Sequence, residues 1–119
     1  RRMILPNPSI QLDSGNKVVV FVHHLKEGLS AEQLAEYRRM DDDTLALAMG
    51  MDGYLGHEYA SNDEGTVFMS YWRDDEAVAE WSRHPLHREA KSKGQDEWYA
   101  LYRTVICTVN QHFLAPEKC

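Results

Sequence analysis

Residues 68–90 read FMSYWRDDEAVAEWSRHPLHREA, and the fold follows from how this stretch divides. Alternation through the first five residues places Phe68, Ser70 and Trp72 on one face of a strand, with Met69 and Tyr71 on the other. Asp74, Asp75 and Glu76 then put acids where a helix start favours negative charge. Val78 and Trp81, at i and i+3, share a face of that helix. Pro85 disfavours helical geometry at His84 but is well tolerated as the first residue of a new helix. The helix is therefore expected to bend or restart at His84-Pro85.

Working outward, MDGYLGHEYASNDEGTVFMSYWR (residues 51–73) reads as two strands around the turn SNDEG. Upstream, Ser30 with Gln33 forms a capping box and predicts a helix through about Met49. KVVVFVHHLKEG, from Lys17 to Gly28, is a β-branched strand closed by glycine. Downstream, YRTVICTVNQHF (residues 102–113) is a final strand before Pro116. The order β-α-β-β-α-β predicts a ferredoxin-like α+β domain over residues 17–113, with a four-stranded antiparallel sheet and the helices on one face. Residues 1–16, with Pro6 and Pro8 and no period, read as an arm that can reach a neighbour, and residues 114–119 as a tail. Val18, Val20 and Val22 alternate with Val19, Phe21 and Leu25, so the first strand is apolar on both sides. In a chain this short a second copy is expected to cover the free face, which predicts a homodimer.

A chain of 119 residues with a formal net charge of −6 has no basic face for nucleic acid and no apolar run long enough for a membrane span. Its cysteines, Cys107 and Cys119, have no CxxC spacing, and a reduced, cytoplasmic protein is the expectation. No phosphate-binding glycine loop, nucleophile elbow or metal-spaced cluster is present, so no metal ligand is assigned.

Four elements together resemble the antibiotic biosynthesis monooxygenase family of dimeric α/β-barrel proteins. They are Gly53-Tyr54-Leu55-Gly56 opening a strand, Tyr71-Trp72 before an acidic helix start, Trp81 followed by His84-Pro85-Leu86-His87, and Trp98-Tyr99 before the last strand. The resemblance runs over roughly residues 17–113 and implies a pocket between sheet and helices. It also implies several chemistries, among them cofactor-independent formation of quinones and degradation of haem. Quinone-forming members resemble this chain at Trp72, which lines their pocket, but carry an asparagine where Phe68 stands. Haem-degrading members place a tryptophan at Trp81 and an iron-ligating histidine ten residues later, which here is Lys91.

The residues narrow this further. His23 and His24 are adjacent on a strand and must face opposite ways, so one of them meets the helices. His24 and His87 are the candidate catalytic groups, a neutral imidazole being suited to accept a proton near neutral pH. Trp72, Trp81, Phe68 and His84 are the candidate substrate-binding residues, the aromatics holding a ring and excluding water. Against this stands plain packing, since tryptophan supplies much buried area. Asp41 falls at the edge of the apolar stripe of the first helix, where burial would raise its pKa. A solvated or broken stretch at Asp41-Asp42-Asp43 is the preferred reading there. The expectation is a dimeric oxygenase-type enzyme acting on an aromatic or phenolic molecule without a cofactor. The alternatives are a haem-binding or haem-degrading protein using the same cleft, and a non-catalytic small-molecule binding module.

Overall fold

A run of valines with Phe21 gives strand β1 (Lys17–Leu25) strong β-propensity, and it lies inside the sheet rather than at its edge. The computed structural model describes residues 3–116. After β1 come α1 (Ala31–Met49), β2 (Tyr54–Asn62), β3 (Gly65–Trp72), α2 (Asp75–Arg83), α3 (Pro85–Lys93), a wide helical turn at Gly94–Trp98, and β4 (Tyr99–Thr108). The strands order as β2-β3-β1-β4, all pairs antiparallel, which is the ferredoxin-like α+β arrangement.

Local chemistry sets the boundaries. The Ser30 hydroxyl accepts from the Gln33 backbone N–H at 3.0 Å, and the Gln33 side chain accepts from Ser30 at 2.9 Å, so both halves of the capping box are made. Of the solvated or broken stretch expected at Asp41–Asp43, the solvated form is the one found: the three residues are exposed, and α1 runs through them without interruption because neighbouring turns hold them helical. Asp74 caps α2 by accepting from Ala77 N–H at 2.9 Å. At His84 the backbone is extended (φ −63°, ψ 135°), and Pro85 opens α3 as its first residue, so the helix restarts.

Register sorts every strand residue onto one of two faces. Val19, Phe21 and His23 pair with Ser70, Phe68 and Thr66 on the face toward the helices; Val18, Val20 and Val22 pair with Tyr71, Met69 and Val67 on the outer face. A buried cluster of Ala48, Trp72, Ala77 and Val78, flanked by Val19, Met51, Tyr54 and Trp81, welds α1 and α2 to one end of the inner face. The rest of that face is left open beneath the helices.

On the outer face Val22, Val67 and Val105 are exposed. The arm folds back onto its own sheet. Asn7 N–H donates to Glu58 Oε2 at 2.6 Å, and the Tyr71 hydroxyl donates to Glu58 Oε1 at 2.7 Å. Ile10 is buried over Gly56, where a Cβ would stand 2.7 Å from Ile10 Cγ1. The positive φ of 147° at Gly56 and this close approach both require glycine. Cys107 is exposed on the outer face, while Cys119 falls outside the described residues. Among those residues no helix is long and apolar enough to cross a membrane.

Candidate functional site

The open part of the inner face forms a cavity of about 740 Å³ between the sheet, α1 and α3. Trp72 lies opposite Lys17 and His23 opposite Thr66, so the two mark opposite ends of the β1–β3 pair, about 20 Å apart at the usual rise per residue. The cavity is a trough with two chemically distinct ends.

One end is built from indoles and an imidazole. Trp72 is fully buried and donates through Nε1 to Ser70 Oγ at 2.9 Å. Trp81 from α2 stacks over it at 5.9 Å between ring centroids, tilted by 20°. His87 from α3 meets the Trp81 ring edge-on at 4.5 Å. Burial, with the nearby Lys91 ammonium adding to it, holds the His87 imidazole below the ordinary histidine value, so the ring is neutral near pH 7. Its Nδ1 is buried without a hydrogen-bond partner among the described residues.

The other end is phenolic. His23 lies 4.8 Å from Phe21 and 4.7 Å from Tyr99, ring to ring. The Tyr37 hydroxyl stands 3.3 Å from His23 Nε2 and donates to it when that nitrogen is unprotonated. Burial, and then the adjacent His24, lowers the His23 pKa. Burial pushes Tyr37 up to about 12, and Asp41 adds to the shift; burial also raises Tyr99. These hydroxyls therefore stay protonated and serve as donors. Asp41 lines the trough from α1. The residue is exposed there, and partial desolvation, then Asp42, raise its pKa.

Phe68 stacks with His57 at 5.5 Å and with Tyr59 at 6.1 Å on the floor between the ends. Thus Trp72, Trp81, Phe68 and His87 of the sequence-derived candidates come together on one trough, Trp72 closing its end behind Trp81. Two candidates do not. His24 lies on the outer face, paired across from Leu101, because the strand's alternation turns His23 inward instead. His84 is not part of the lining; its Nδ1 accepts from Leu86 N–H at 3.1 Å and so caps α3. The sequence reading passed over Tyr37, Arg88 and Lys91 as site residues, although Tyr37 lay in the α1 stripe and Lys91 lies one turn beyond His87. Among the described residues no group of three or more His, Cys, Asp or Glu side chains is arranged to hold a metal ion.

The chain is 29% identical over 91 residues to the uncharacterized protein YqjZ of Bacillus subtilis (strain 168), covering 76% of this chain and 80% of that one. Its fold is similar to SnoaB, described as a cofactor-independent oxygenase from Streptomyces nogalater, with a TM-score of 0.65 at 15% identity over 83% of this chain and 97% of the other. It is also similar to a dimeric protein of unknown function and ferredoxin-like fold from Bacteroides fragilis NCTC 9343, with a TM-score of 0.61 at 14% identity, covering 84% and 99% of the two chains. At those identities the likeness is one of fold. Residues 17–93 match the family model for antibiotic biosynthesis monooxygenase, and the chain belongs to that family.

Proposed function

We propose that this chain is a cofactor-independent oxygenase that oxidises a phenolic aromatic molecule in the trough beneath α1 and α3. The observation that carries the reading is His87 set edge-on against the Trp81–Trp72 stack, where burial lowers its pKa, which pairs a proton acceptor with a flat apolar wall. The similar fold of a protein described as a cofactor-independent oxygenase supports it.

In the proposed reaction the substrate supplies the electrons. His87 takes the phenolic proton, and the phenolate passes one electron to O₂, giving a phenoxyl radical and superoxide. These combine with formation of a C–O bond at a ring carbon, and the His87 imidazolium returns its proton to the peroxide. His87 then takes the proton on that carbon as O–O cleaves, leaving a quinone and hydroxide, and the imidazolium so formed converts the hydroxide to water. One phenol and one O₂ thus give one quinone and one water. Trp81 and Phe68 hold the ring in place of the solvent that would trap the radicals. The apolar outer face, with Val22, Val67 and Val105 exposed, is proposed to pair with a second copy, in line with the dimeric relative of similar fold.

The test is oxygen uptake with a panel of mono- and bicyclic phenols, in wild type and in His87→Gln. Uptake that falls at least tenfold in the variant is expected. No uptake with any phenol, or uptake indifferent to His87, would overturn the reading. In parallel, haem is expected to give only a non-saturating spectrum; a saturable Soret shift at one haem per chain would replace the oxygenase by a haem-binding protein.

A further inference from the structure

We infer that the α3 wall of the trough is an anion subsite, and that the molecule it takes is an aromatic acid, its carboxylate held by Arg88 and Lys91. The inference rests on the trough being the substrate site and names the class of molecule bound there. Arg88 and Lys91 stand at i and i+3 on α3 and both line the cavity. Neither has a carboxylate within ion-pair distance among the described residues. The cations on either side of them are spoken for: Arg83 pairs with Glu80 at 3.1 Å, and Lys93 with Glu36 at 2.8 Å. In a chain with 19 acidic and 13 basic side chains, these two exposed residues are the cations that line the cavity, and their wall is the place where an anion is accepted.

The rest of the trough fixes what kind of anion. Val19, Phe21, Phe68, Val78 and Trp81 present apolar and aromatic surface of a length that suits a flat ring system rather than an inorganic ion. Asp41 and Asp42 line the trough from α1 and repel negative charge there. A ligand with one anionic group therefore has one favourable direction, with its head toward α3 and its ring along Trp81. In that pose the carboxylate sits one helical turn from His87, so a hydroxyl on the same ring is brought to the imidazole. Lys91, which helps keep His87 neutral, also offsets the phenolate charge as it forms.

The experiment is calorimetric titration of the full chain with a hydroxynaphthoate and with its carboxamide, which differs only in lacking the charge. Wild type, Arg88→Gln/Lys91→Gln and, as a control on α1, Arg39→Gln are compared. The acid is expected to bind about tenfold more tightly than the amide in wild type and in Arg39→Gln, the gain of a charge-assisted contact. In the double variant the two ligands should bind alike, with affinity for the amide unchanged. Equal affinity in wild type, parallel weakening of both ligands in the double variant, or no binding of either would overturn the subsite. Binding is read without turnover, so the two proposals fail separately. Selective binding of the acid with no oxygen uptake keeps the subsite and removes the oxygenase; uptake with neutral phenols and no preference for the acid does the reverse.

Discussion

Replacing Trp72 by phenylalanine separates its part in the core from its part in the site. Trp72 is completely buried, stacks on Trp81, meets Tyr54 edge-on at 5.6 Å and donates to Ser70. Phenylalanine keeps a ring in place but removes two ring carbons and the indole N–H. At about 0.8 kcal/mol per buried carbon the apolar loss is about 1.6 kcal/mol. The lost hydrogen bond adds about 1 kcal/mol, and Ser70, itself buried, is left without that donor. Because Trp72 is wholly buried behind Trp81, the void is closed and adds about 1 kcal/mol. The expected destabilisation is therefore about 3–4 kcal/mol, a drop of about 2 M in the urea midpoint for a domain of this size. The assay is urea unfolding followed by far-ultraviolet circular dichroism at one fixed protein concentration, since association would shift the midpoint. A loss below about 0.5 kcal/mol, the range of ordinary surface changes, would refute the placement of Trp72 as the sealed end of the trough.

Three further outcomes follow from the same geometry. Gly56→Ala should cost about 1–3 kcal/mol through its positive φ and displaced Ile10, with faster proteolysis of residues 3–16 as the specific sign that the arm has lifted. Asp41→Asn should raise the thermal midpoint by about 2–4 °C at pH 7, a change worth about 0.5 kcal/mol. The sign is set by the raised folded pKa: the unfolded chain releases this proton more readily, so the native carboxyl destabilises above its unfolded pKa, and the benefit of asparagine should vanish at pH 3. His23 and His87 are both held below their unfolded value, so their contribution to stability is complete above about pH 6.5 and is lost as pH falls toward the folded pKa values. The double variant His23→Gln/His87→Gln should accordingly flatten the fall in thermal midpoint on the acid side of pH 6.5; an unchanged slope would contradict the burial of these rings.

The elements were legible where chemistry is local. Ser30-Gln33 and His84-Pro85 each act within a single turn, and both appear where the chain says they should. The start of the last strand was not: the wide turn at Gly94–Trp98 hands the chain to the sheet at Tyr99, three residues before Tyr102. Such a turn depends on packing against α1 and α3 rather than on its own residues. The inward histidine was undecidable from β1 itself. With valines on both faces the strand shows no polar alternation to orient it, and a shift of one residue exchanges His23 for His24. Trp81 and His87, six residues apart, were legible as neighbours. The meeting of His23, Tyr37 and Tyr99 was not, because they lie on three elements and only the register of β1 with β4 and the seat of α1 bring them together. Asp41 shows the limit of helical periodicity, which could place it at an edge but not say that the edge bounds a cavity.

The central claim is that the trough joins oxygen to a phenolic ring, and reaction of a hydroxynaphthoate under ¹⁸O₂ tests it most directly. One labelled oxygen atom in the quinone per O₂ consumed, with label absent from that position when only the water is ¹⁸O-enriched and the reaction is quenched early, is the predicted result. Recovery of unlabelled starting material with no oxygen consumed by the protein would contradict it.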